Sequence, residues 1–446
     1  MASVASSDIA TANANLEAAV TAARERYIGR NPKSLAAHNA ARRHLPGGNT
    51  RTTLFHSPFP LRMMRGDGAR LWDEDGHEYV DFVGDFTAGL FGHSHPVIRT
   101  ALAEAIETGT SMGSTHRYEQ DLAAIVCDRF ASIEQVRFCN SGTEANTFAI
   151  LTACATTERD QIMVFDGGYH GATLQFRRDG KRQINLPIPF VMAPYNDIKG
   201  TNALIEENAR DLAAVLIEPL QGGGGCIAAD REFLQNLRDQ CSAHGIVLIF
   251  DEVLTSRLAP GGLQGYHGVT PDMTTIGKYI GGGSSFGGFG GRADIMGRYD
   301  STHPDAFAHY GTFNNNVLTM AAGAAGLSQA YTTAEADRLN AAGDGLRQRI
   351  NALADSSGHA FQACGIGGVM HLHFQRSPIT NAGAVLDRPP ALKELLQLFM
   401  LEHGIFTDRR GLISLSLPMT DADLDQLVET LADFLETHGG LLPSEE

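Results

Sequence analysis

The stretch "IVLIFDE", Ile246–Glu252, sets five apolar side chains in a row and then a carboxylate at Asp251. A run this short and uninterrupted reads as a strand buried on both faces, the situation in a parallel sheet covered by helices on each side. Asp251 then stands at the strand's carboxyl end. Outward toward the N-terminus, "VLIEP" (Val215–Pro219), "IMVFD" (Ile162–Asp166) and "VRFCN" (Val136–Asn140) have the same character, with longer amphipathic stretches between them. The alternation predicts an α/β fold with a large, mainly parallel central sheet. Ligands of open parallel sheets sit beyond the carboxyl ends of the strands, so these four exits are expected to line one site.

The flanks read differently. "ARLWDEDGHEYVDF" (Ala69–Phe82) alternates around Asp75-Gly76, which predicts an antiparallel hairpin. "TDADLDQLVETLADFL" opens on the cap Thr420 and places Leu424, Leu427, Val428, Leu431 and Leu435 on one helical face. The expected organisation is an N-terminal helix and part of a small α+β domain in 1–82, a large domain in 83–325, and the rest of the small domain in 326–446.

The 446 residues carry a formal charge of −16, which opposes a nucleic-acid or anionic-membrane partner and favours small molecules. No stretch is apolar enough to span a membrane. The six cysteines have no CxxC or other ligand-like spacing, so neither a disulfide framework nor a zinc site is indicated and a reducing compartment is expected. The first twenty residues lack a basic start followed by an apolar core, and they contain Asp8 and Glu17. A cytoplasmic location is the expectation.

Each strand exit has its own chemistry. "SGTEAN" (Ser141–Asn146) is a small turn entering an Ala-rich helix; its free N–H groups suit a phosphate, though an ordinary helix cap would look the same. "GGYHGA" lets backbone approach a ligand at Gly167 and Gly168 and offers the flat rings of Tyr169 and His170, which could equally be a core pair. Asp251 needs a cationic or N–H partner at the mouth of its strand, and a structural ion pair with Arg257 is one solution. The remaining piece is "TTIGKYIGGGSSFGGFGG", Thr274–Gly291, where Lys278 is the one charged side chain. Apolar, glycine-lined surroundings favour the neutral amine of a lysine, which attacks carbonyls. Pyridoxal phosphate would satisfy all four exits: a Schiff base on Lys278, a phosphate at Ser141–Thr143, a ring on Tyr169 or His170, and a pyridinium N–H at Asp251. A Walker-type phosphate loop does not fit, because Lys278 precedes the glycines and is followed by Tyr279.

"FCNSGTEAN", "FDGGYHGA", "LIFDEVLTSR", "TTIGKYIGGG" and "YGTFNNNVLTMAA" stand in the order and spacing of the class III, fold-type I pyridoxal-phosphate aminotransferases, and the resemblance runs from about Asn39 to Phe434. It implies that Lys278 holds the cofactor and shuttles the proton, that Asp251 pairs with the ring nitrogen, that Tyr169 stacks on the ring, and that Ser141, Gly142 and Thr143 hold the phosphate; His170 is counted with the cofactor-binding residues. Glu218 and Gln221 of "IEPLQGGGG" match positions near the cofactor. Thr312 of "YGTFNNN" matches a residue that reaches the phosphate in the other subunit, which implies a homodimer with shared active sites. Leu254 departs from the pattern, since many members carry there a glutamine that touches the cofactor's ring oxygen.

Within the class, "NSGTEA", "YHG" and "FDEV" are shared with glutamate-1-semialdehyde aminomutases. "LPGGNTRTTLFHSPFPL", "LAPGGLQGYHG" and "DRRGLISLSLPMTDADLD" are more similar to the aromatic β-amino-acid aminotransferases. That resemblance implies ping-pong transfer of the amino group of a β-amino acid such as β-phenylalanine to a 2-oxo acid such as 2-oxoglutarate or pyruvate. It also implies that Arg51 and Arg410 bind substrate carboxylates, with Arg409 as a rival to its neighbour. Arginine suits this task because its guanidinium offers paired donors and keeps its charge.

Overall fold

The computed structural model describes residues 2–177 and 183–442. Its centre is a seven-stranded sheet whose spatial order is Gln135–Cys139, Gly287–Gly291, Met273–Gly277, Val247–Asp251, Leu212–Ile217, Gln161–Phe165 and Phe190–Ala193. Val247–Asp251 runs parallel to both its neighbours, and Gly287–Gly291 is antiparallel to the strands on either side of it. All residues of Leu212–Ile217 and Val247–Asp251 are buried, as their unbroken apolar runs predict. The expected strand at Val215–Pro219 begins three residues earlier, and its Pro219 lies beyond the end.

Two strands flanking Lys278 carried no strand signal. Met273–Gly277 is short, and "GGFGG" (Gly287–Gly291) is four-fifths glycine, a composition that weakens a strand unless another backbone must come close. That reason is present, because a Cβ on Gly287 would collide with the carbonyl of Ser141.

The helix Gly142–Thr157 packs on this sheet through Ala145, Ala149, Ile150 and Ala153. Ser141 caps it, its Oγ accepting the N–H of Glu144 at 3.1 Å, and the helix ends where Glu158 turns to φ 57°. Both chain ends meet in a second sheet, where Ile405–Phe406 lies parallel to Glu78–Asp81. The hairpin around Asp75-Gly76 is formed as read, pairing Arg70–Asp73 with Glu78–Asp81. The C-terminal helix is Asp421–His438, with Thr420 and Asp423 capping each other and Leu424, Leu427, Leu431 and Leu435 buried. The N-terminal helix Ala2–Arg30 is fastened to Pro390–Glu402 by Arg24, whose Nε and Nη2 reach the Glu394 carboxylate at 2.5 and 2.9 Å. Among the described residues no helix is long and apolar enough to cross a membrane.

Candidate active site

Asp251 is 4 % exposed, and its carboxylate is fully engaged. Oδ2 accepts from Asn146 Nδ2 and lies against His170 Nδ1, both at 2.8 Å; Oδ1 accepts the N–H of Val253 at 3.0 Å. Thr275 Oγ1 lies 3.4 Å from Oδ1 but makes its short bond, 2.7 Å, to Asn146 Oδ1. Three elements thus converge on one carboxylate, the Thr275 contact being the loosest. The ion pair with Arg257 is not formed. Arg257 is 1 % exposed and turns away, donating to the Thr87 carbonyl at 3.0 Å, to Ser414 Oγ at 3.1 Å and to the Leu415 carbonyl. His170, for which the sequence leaves open a ring surface or a core place, is buried against Asp251, and its carbonyl accepts from Asn146 Nδ2 at 3.0 Å. Its neighbour Tyr169 is 42 % exposed, leaving that ring as the open one.

Lys278 follows directly on Met273–Gly277 and has φ 52°, a left-handed conformation that a lysine adopts only where its surroundings impose it. Its ammonium makes no hydrogen bond or ion pair among the described residues. Burial lowers the Lys278 pKa, and the nearby carboxylates of Asp251 and Glu218 only partly oppose this. Glu218 is itself buried; its Oε2 accepts the N–H of Tyr169 at 2.9 Å and its Oε1 that of Gly222 at 3.1 Å. Burial pushes its pKa up to about 7. Gln221 is 1 % exposed, donates to the Asp166 carbonyl at 3.0 Å, and keeps a buried Oε1 without a partner.

The turn Ser141–Thr143 offers the first N–H groups of its helix, which have no partner within the helix, at the positive end of the dipole. The wall around it is tight. A Cβ on Gly142 would come within 2.7 Å of Val253, and one on Gly171, where φ is 119°, would strike Thr143. Thr143 Oγ1 accepts the N–H of Ala172 at 3.0 Å, joining two of the strand exits. Thr312 is not part of this cup: it lies exposed in the loop before the helix Val317–Ala325, a loop tied back by Asn314 to Asn140 at 3.1 Å and by Asn315 to Glu119 at 3.0 Å.

Arg51 and Arg410 come from opposite ends of the chain yet share one neighbour. Each guanidinium lies 5.4 Å from the centre of the Phe86 ring. Arg51 pairs with Asp85 at 2.5 Å and Arg410 with Asp408 at 2.7 Å. Asp85 lies near enough to Lys278, and Arg410 to Tyr169, for their charges to act on those groups. Leu254 packs against Gly222 and, with Phe86, against an apolar cluster that includes Leu220 and Leu258. Reading by motif passed over Asn146, Thr275, Asp85 and Phe86. The signal for Asn146 was an amide among alanines one turn beyond the cup; Asp85 and Phe86 gave none.

An amine without a partner, an N–H cup closed by glycines and a carboxylate with one loose contact together fit pyridoxal phosphate, and they define a fold-type I enzyme of that cofactor. A family model, "Aminotransferase class-III", matches residues 55–435, and the chain belongs to the class III aminotransferases. It is a pyridoxal-phosphate-dependent transaminase. The β-phenylalanine transaminase of Variovorax paradoxus is 46 % identical over 434 residues, 97 % of this chain and 99 % of that one. A solved β-phenylalanine aminotransferase from the same organism has a TM-score of 0.94 at 45 % identity, covering 97 % of this chain and all of the other. A transaminase solved with the cofactor bound has a TM-score of 0.84 at 32 % identity, covering 92 % and 98 %. A glutamate-1-semialdehyde 2,1-aminomutase of Desulfotalea psychrophila is 35 % identical over 423 residues, 90 % and 98 % of the two chains.

Proposed function

We propose that this transaminase takes the amino group of a β-amino acid with an aromatic substituent, such as β-phenylalanine, and passes it to a 2-oxo acid such as 2-oxoglutarate or pyruvate by a ping-pong route. The observation that carries the reading is the pair of guanidiniums, Arg51 and Arg410, set around one phenyl ring at the cleft. Two cations suit two carboxylates in turn, and the apolar side formed by Phe86 and Leu254 suits a ring. The 46 % identity to a β-phenylalanine transaminase, against 35 % to an aminomutase, points the same way.

In this reading Lys278 holds the cofactor and moves the proton at the substrate carbon, a task for which burial has prepared its amine. When bound, the cofactor supplies the electron sink that lets that carbon lose its proton. Asp251, fixed by Asn146, His170 and Val253, holds a proton on the ring nitrogen. Ser141, Gly142 and Thr143 take the phosphate, and Tyr169 covers the ring. Glu218 orients Tyr169 through its backbone N–H, while Gln221 shapes the floor. Thr312 serves the partner's phosphate in a homodimer. The cofactor-binding domain is 83–325, and 1–82 with 326–446 form the small domain, as the pairing of Ile405–Phe406 with Glu78–Asp81 supports. The cysteines are all unpaired, in keeping with a cytoplasmic enzyme.

The test is the first half-reaction, followed by loss of the cofactor's visible absorbance, over β-amino acids, α-amino acids and simple amines. β-Phenylalanine should have the highest kcat/KM of the panel. Arg410→Ala should lower kcat/KM for carboxylate substrates by about ten- to a hundredfold while a simple amine suffers much less. Equal losses on both, or a panel led by α-amino acids, would sink the assignment.

A further inference from the structure

Gly84, Asp85, Phe86 and Thr87 have positive φ in succession, 51°, 44°, 56° and 78°. Only the first is glycine. L-residues avoid this region, and a run of three persists only where the surroundings over-determine it. Here they do. Asp81 Oδ1 accepts the N–H groups of Val83 at 2.9 Å and Gly84 at 3.0 Å, and the Gly84 carbonyl accepts from Gly89 at 2.7 Å. Arg257, buried without a carboxylate partner among the described residues, donates to the carbonyl of Thr87 at 3.0 Å and also reaches Ser414 and Leu415. The guanidinium that follows the Asp251 strand is thus spent on holding this turn.

The turn presents two things. Asp85 meets Arg51, and Phe86 lies under both arginines. The two ion pairs differ in kind. Asp408, partner of Arg410, is 9 % exposed and is itself fixed by the N–H groups of Gly411 at 3.0 Å and Leu412 at 2.8 Å. The Asp85–Arg51 pair is open to solvent on both sides, with side chains 57 % and 46 % exposed, so it is weakly held and readily exchanged.

We propose that the Gly84–Thr87 turn sets carboxylate specificity: Asp85 is a resident carboxylate that occupies Arg51 until a substrate carboxylate displaces it, and Phe86 keeps Arg51 beside Arg410, whose partner Asp408 is buried and fixed. Arg410 is then the constant grip and Arg51 the exchanging one. The proposal rests on the reading that Arg51 binds substrate carboxylates. Asp85 and Phe86 act through the arginines and are positioning residues.

The experiment compares holoenzyme variants Asp85→Asn, Arg51→Ala and the double variant on β-phenylalanine, 2-oxoglutarate and benzylamine, an amine without a carboxylate. Removing the competing charge should lower KM for β-phenylalanine or 2-oxoglutarate about two- to fivefold, with no matching fall for benzylamine, and the gain should vanish once Arg51 is absent. Phe86→Leu should raise KM for the carboxylate substrates more than it lowers kcat. If Arg51→Ala weakens carboxylate substrates while Asp85→Asn leaves their KM unchanged or higher, the resident-carboxylate proposal is overturned and the substrate reading stands. Parallel shifts on all three substrates would likewise overturn it. If Arg51→Ala affects none of them, the carboxylate reading of Arg51 fails first and takes the proposal with it.

Discussion

At the scale of single residues the active site is a set of charges whose partners have been chosen or withheld. Lys278 has none among the described residues, and Asp251 is held by Asn146, His170 and the N–H of Val253. Lys278→Ala should therefore bind cofactor without its covalent attachment and lose turnover by at least about a thousandfold while melting near the wild-type temperature, since a truncated cleft side chain removes chemistry and not core. Absorbance spectra and kcat check this; ordinary rates without an added amine would refute the assignment. Asp251→Asn keeps the shape but not the charge, so cofactor should still bind and kcat should fall by about a hundredfold or more. A loss of only a fewfold would return Asp251 to a structural role. These two residues were legible in the sequence because each violates its surroundings, a charge after five apolar residues and a charge among glycines. The partner of Asp251 was not legible. Arg257 is six residues away and was the obvious cation, whereas His170 and Asn146 reach Asp251 only because three strand exits converge, a non-local fact that spacing does not encode.

At the scale of elements, the N–H cup at Ser141–Thr143, proposed above to take the phosphate, depends on backbones packed closer than side chains allow. The antiparallel strand Gly287–Gly291 passes under Ser141, and Gly287 is where a Cβ would meet the Ser141 carbonyl. Gly287→Ala must push the helix entry outward, a local overpacking of about 1–3 kcal/mol. The expected result is cofactor affinity weakened about tenfold with the sheet intact, measured by titrating the apoprotein with cofactor; unchanged affinity would show that the cup yields without cost. This strand was missed for the reason that makes it useful, since glycine carries no strand propensity and reports only a close approach. The buried strands Leu212–Ile217 and Val247–Asp251 were plain from their apolar runs. The left-handed turn Gly84–Thr87 left no mark, because its conformation is imposed by Asp81 and Arg257 and contradicts the local preferences of Asp85, Phe86 and Thr87.

At the scale of the whole molecule, one chain carries a surface that makes little sense alone. Tyr310 is 88 % and Phe313 62 % exposed on either side of Thr312, and a groove of about 850 Å³ lined by His116, Arg117, Gln120, Arg137, His309 and Asn314 opens beside them. Aromatic side chains so exposed mark an interface more readily than a solvent face. If Thr312 serves the partner's phosphate, as proposed, each active site needs two chains, and that has a consequence that size measurements cannot mimic. Take Lys278→Ala, which loses the amine, and Thr312→Asp, which sets a negative charge against the phosphate. In a mixed dimer with shared sites both lesions fall in one site and the other is intact. With sites contained in single chains, every site of the mixture carries one lesion. Dissociating and remixing the two variants in equal amounts should therefore restore about a quarter of wild-type activity, half of the dimers being mixed and each holding one good site. Activity that stays at the mean of the two parents would refute shared sites, and full activity at nanomolar dilution, where the chain sediments at its 47.8 kDa monomer mass, would refute the dimer itself.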